Sequence, residues 1–105
     1  MKIRNLITSN PAFRTSIQDF ELCVYGKIFT NRLEKEALED ISLFISSPES
    51  FIKGDFCFSL IHHDLVYLGS SRSATHPIYF RKLNEEFIYS LKFSDVVESS
   101  KHNTL

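Results

Sequence analysis

Apolar and polar residues alternate with a period of two from Gly54 onward, where Phe56, Phe58 and Leu60 are set between Asp55, Cys57 and Ser59. Such alternation predicts a strand, and after a polar tip at "HHD" the run "LVYLGS" returns as its antiparallel partner. A second pair, "PIYFRKL" and "EFIYSLKF", is joined by the tight polar "NEE". Earlier in the chain "KIRNLIT" predicts a short strand, "SNPAFRTS" supplies turn residues and a proline that break it, and "DFELCVYGKIF" predicts a longer one. Gly26 interrupts that last pattern, which predicts a bulge or a close backbone approach.

Between these β regions the period becomes helical. Asn31 is an N-cap type, Glu34 stands three residues later as in a capping box, and Leu33, Ala37, Leu38, Ile41, Phe44 and Ile45 recur on one face. The pattern predicts a helix from Asn31 to Ser46. Ser47 followed by Pro48 repeats a start signal, predicting a short helix "PESFIK" that stops at Gly54, a favoured residue just past a helix end. No further helix is expected. The fold class is therefore α+β: one antiparallel sheet with a main and a short helix packed on a face, a single domain over residues 1–97, then a frayed tail at 98–105.

Composition narrows the function classes. A chain of 105 residues with 10 Phe, 4 Tyr and no Trp has the aromatic bulk for one packed core. Its 12 basic and 13 acidic residues give a net charge of −1, so no summed positive field exists to attract a nucleic-acid backbone. Glu34, Lys35, Glu36, Glu39 and Asp40 read as the solvated face of the main helix, with mimicry of an acidic ligand, and so inhibition of a nucleic-acid-binding protein, as a minor reading. No apolar run is long enough for a signal peptide or a membrane span, which places the chain in the cytoplasm.

Cys23 and Cys57 lie in strand-like runs without metal or redox spacing and read as buried free thiols. His62 and His63 are adjacent, so in a strand they point to opposite faces, and they read as part of a hairpin tip rather than metal ligands. Phosphate loops, nucleophile elbows and histidine-helix metal motifs are absent. No metal or cofactor is expected.

One family resemblance carries more. "GDFCFSLI" followed by "DLVYLGSSRSATHPIYF" resembles the end of the class II glutamine amidotransferase domain at the front of asparagine synthetases, with Leu68, Arg72, Pro77, Ile78, Tyr79 and Phe80 in matching register. "EFIYSLKFSDVV" is similar to the strand and turn that follow there, keeping Leu91 and Lys92. Upstream, "YGKIFTN" is similar to that family's Asn-Gly-Glu-Ile-Tyr-Asn segment through Gly26 and Ile28, with Phe29 in place of a tyrosine. The resemblance spans about Phe20 to Val97. It implies a shortened relative of the αββα N-terminal-nucleophile fold, with Gly26, Arg72, Pro77 and Tyr79 as ligand-binding or structural remnants.

The departures decide the functional expectation. Lys2 occupies the position of the family's nucleophilic cysteine, and without a thiolate no glutamyl thioester forms. Tyr25 replaces the asparagine that helps hold the oxyanion, and the loop that clamps the substrate's amino group is missing. Cys23, inside a strand pattern and without a nearby histidine base, is a poor substitute nucleophile. Arg72 reads first as a structural tie for carbonyls or carboxylates. The resemblance implies that the segment before Phe20 replaces a long region carrying the family's first strands, which predicts one sheet face in need of a cover and hence a homodimer or a protein partner. The resemblance thus implies a catalytically inactive protein-binding or regulatory module. The runner-up is an accessory subunit of an ATP-dependent, asparagine-synthetase-like complex.

Overall fold

The computed structural model describes residues 2–17, 19–33, 41–72 and 75–97, and its spine is the ladder between two long strands. β3 (Phe20–Asn31) runs antiparallel to β4 (Ile52–His62), from Glu21 opposite Ile61 to Asn31 opposite Ile52. β2 (Phe13–Ile17) and β5 (Leu65–Ser70) add at the two sides, giving a four-stranded sheet in the order β2-β3-β4-β5. A second, three-stranded sheet has the order β1-β7-β6, from β1 (Lys2–Asn5), β6 (Tyr79–Leu83) and β7 (Glu86–Ser90). The expected single sheet is thus two, and β1 pairs with β7 in parallel.

The hairpins follow the sequence pattern. β4 and β5 meet at His63 and Asp64, and β6 and β7 at Asn84 and Glu85. His63 and Asn84 take positive φ values of 53° and 48°, the left-handed conformation that tight reversals use. The segment "SNPAFRTS" contains more order than expected: its second half begins β2, which folds back on β3 through Asp19 at φ 70°. Ladder hydrogen bonds outweigh the local turn signal there.

Gly26 and Gly54 let β3 and β4 approach. Both have positive φ, 120° and 146°. A β-carbon on Gly26 would lie 2.4 Å from the Asp55 carbonyl oxygen, and one on Gly54 would lie 2.1 Å from that of Lys27. The close backbone approach expected at Gly26 is present. Gly54, expected to end a helix, instead serves this ladder.

The helices differ most from expectation. Asn31 is the last residue of β3, and Arg32 N donates onward to Phe51 O, so strand pairing holds the chain extended where a helix was expected to start. The described helix is α1 (Ile41–Ser46); the rest of the expected span, including the acidic stretch 34–40, lies outside the described residues. "PESFIK" forms only a 3₁₀ turn at Pro48–Ser50, because Phe51 and Ile52 are drawn into the core and Ile52 starts β4. Residues 93–97, expected to be non-helical, are helical. The expected frayed tail lies outside the described residues.

One core fills the space between α1 and the four-stranded sheet: Leu22, Val24, Phe44, Phe51, Ile52, Phe56, Phe58 and Leu60. Phe44 meets Phe58 edge to face at 5.0 Å, and Phe51 in a tilted pair at 5.7 Å. The opposite face, expected to lack a cover, is closed by the three-stranded sheet. Tyr25, Cys57 and Ser59 are buried there together with Tyr89 of β7, and Asn5 of β1 reaches the Tyr25 hydroxyl. The outer face of the three-stranded sheet carries the helical residues 93–97: Phe93 packs edge to face on Tyr79 at 5.5 Å, and Ser90 Oγ donates to Asp95 at 2.7 Å. The layers run helix, sheet, sheet, helical turn. No helix of the described residues is long and apolar enough to cross a membrane.

Candidate functional site

Three places in the molecule have the makings of a site. The first is a cavity of about 550 Å³ beside strand β5, floored by Phe58 and Tyr67 and walled by Ile45 to Glu49 of the α1 end. Arg72 stands on its rim, where its backbone N–H donates to Glu49 Oε1 at 2.5 Å. This ties the loop after β5 to the 3₁₀ turn. The tie is made by the main chain, so the structural role expected of the Arg72 side chain is filled by its backbone, and the exposed guanidinium has no ion pair among the described residues.

The second place is the polar cluster around Asp55. Its carboxylate accepts from Thr75 N at 2.9 Å and from Thr75 Oγ1, and His76 Nδ1 lies 3.6 Å away. The two Thr75 bonds hold the Asp55 carboxyl below its ordinary range, opposed by desolvation and helped more weakly by the nearby His76 and Lys27. The cluster pins the loop before β6 to the first part of β4, next to the Gly26 contact. It is a latch, and residues that could hold a metal do not gather here or elsewhere among the described residues.

The third place lies between the sheets. Burial, then the Glu21 carboxylate, raise the Cys23 thiol, and burial pushes Cys57 up to about 11. Tyr25 is pushed up to about 12, again first by burial. Burial raises Tyr89 too; its hydroxyl lies beside Ser59, near enough to temper that rise, yet not in the geometry of an ordinary hydrogen bond, so among the described residues it is an unpaired buried donor. A thiolate is the nucleophilic form of cysteine, and this environment favours the thiol.

The residues singled out from the sequence are not gathered into one pocket. Gly26 is packed within the β3–β4 ladder, Pro77 is exposed ahead of β6, and Tyr79 packs on Phe93 at the outer layer. Arg72 alone of the four lines the cavity. Asp55, Thr75 and Glu49 escaped the sequence reading because their partners lie 20 or more residues away. Comparison with protein-family models, curated proteins and solved structures finds no match.

Proposed function

We propose that this chain is a shortened, non-catalytic relative of the class II glutamine amidotransferase domain that works by binding another protein. The observation that carries the binding role is the edge of the three-stranded sheet at β6. Phe80 is 62% exposed on one face of that edge and stacks on Phe87, while Phe93 is 63% exposed on the other and packs on Tyr79. Exposed aromatic side chains on both faces there offer an apolar surface to a partner's side chains, while Arg81 and Lys82 discourage strand pairing along the edge itself.

Two features support the kinship and the loss of chemistry. The order helix, sheet, sheet, helical turn is a small version of the αββα layering that the sequence resemblance implies. Cys23, the one thiol considered as a replacement nucleophile, sits where its protonated form is favoured.

The test is capture of a partner by the tagged chain from lysate of its native host, with the complex sized in solution. The expected result is one stoichiometric foreign protein whose recovery falls sharply for Phe80→Lys. Recovery of the chain without any foreign protein contradicts the reading.

A further inference from the structure

The structure has four open strand edges among the described residues, β1 and β6 on one sheet, β2 and β5 on the other. Three carry charge within the strand: Lys2 and Arg4 in β1, Arg14 in β2, Arg81 and Lys82 in β6. Charged residues on an edge discourage pairing with another chain. β5 reads "LVYLGS" and has none. Its charges stand just outside, Asp64 before it and Arg72 after it, both exposed and neither in an ion pair among the described residues.

That arrangement is self-complementary. In an antiparallel pair each residue whose N–H and C=O point outward must face another that does so, and outward-pointing residues alternate along a strand. When a strand pairs with its own copy, opposed residue numbers must therefore share parity. The register that sets Leu68 opposite Leu68 satisfies this and also sets Asp64 opposite Arg72 at both ends.

We propose that the chain forms a two-fold symmetric dimer through β5, with Leu68 opposite Leu68 at the centre and Asp64 paired with Arg72 of the second copy at each end. The two four-stranded sheets then become one continuous eight-stranded sheet. The register sets Tyr67 of the second copy opposite Gly69, which lines the cavity beside β5 and over which Phe58 of its own chain already lies. A two-fold pairing is closed and leaves no further β5 edge to extend. This surface lies apart from the aromatic β6 edge and stands independently of the partner-binding reading.

Strand pairing of this length buries less than a standard interface, so the expected dimer is weak, dissociating in the micromolar range. The test is sedimentation equilibrium of the full chain over a concentration series, with circular dichroism to check each variant's fold. Wild type should pass from monomer to dimer, and Leu68→Lys should remain monomeric; Ser70→Lys replaces it should that variant not fold. Asp64→Arg or Arg72→Asp alone should weaken association about fivefold, because each dimer holds two such surface pairs. The double reversal should restore it. A wild type that stays monomeric throughout overturns the proposal, as does a dimer indifferent to both lysine variants. A double reversal no tighter than the single ones overturns the register.

Discussion

Strand β4 is buried on both faces, and the two faces are built of different material. Toward α1 it presents Phe56, Phe58 and Leu60, which join Leu22, Val24 and Phe44 in one apolar cluster. Toward the second sheet it presents Cys57 and Ser59, beside Tyr25 and Tyr89. The first face is large rings packed on one another; the second is small or polar groups, one of them unpaired. Equal burial therefore hides unequal contributions, since apolar area stabilises while a buried unpaired hydroxyl costs free energy. The helix face should hold the fold together and the inter-sheet face should tolerate change.

The sharpest way to break this comparison is Phe58→Ala. Phe58 contacts Phe44 in the middle of the apolar cluster, and its loss should lower stability by about 3–5 kcal/mol in denaturant titration. A loss no larger than that of a surface substitution would remove the distinction. Gly54→Ala should cost about 2–3 kcal/mol by the same titration, because a β-carbon meets the Lys27 carbonyl and φ is unfavourable for alanine.

Raising the pH probes the inter-sheet face. Cys57 keeps its proton in the folded chain up to about 11, whereas in the unfolded chain it ionises near its ordinary value. Its contribution is full below that ordinary value and is lost as pH rises toward about 11, by about 2 kcal/mol. Unfolding midpoints measured across that range should fall for wild type and fall less for Cys57→Ala. Tyr89→Phe removes the unpaired hydroxyl and should raise stability by about 1 kcal/mol, the opposite sign to Phe58→Ala. The smallest effect belongs to the latch. Asp55 is held below its ordinary value, so its contribution is complete above about pH 3.9 and fades as pH falls toward the lower folded value. Asp55→Asn should flatten that acid limb.

What was legible in the sequence follows the range of the interactions. The period of two located β4 to β7, β-prone runs located β1 and β3, and polar tips located both hairpin reversals, since each depends on neighbours. The parallel pairing of β1 with β7 joins Lys2 to Glu86, and no local pattern reports it. The division into two sheets had a faint trace: Ile88 and Tyr89 are successive and both buried, so β7 is covered on each face. At Asn31 a good capping signal lost to pairing with Ile52, a tertiary contact overriding local preference. Arg72 was legible as a conspicuous cation in a loop; Glu49, which its backbone meets, was not.

The central claim is that the thiols between the sheets are structural and that the chain acts through its surfaces. Glutamine hydrolysis by the purified chain, with Cys23→Ser and a protein-free blank beside it, tests this most directly. The account predicts ammonia release at the blank rate for both proteins. Turnover above the blank that Cys23→Ser abolishes would contradict it.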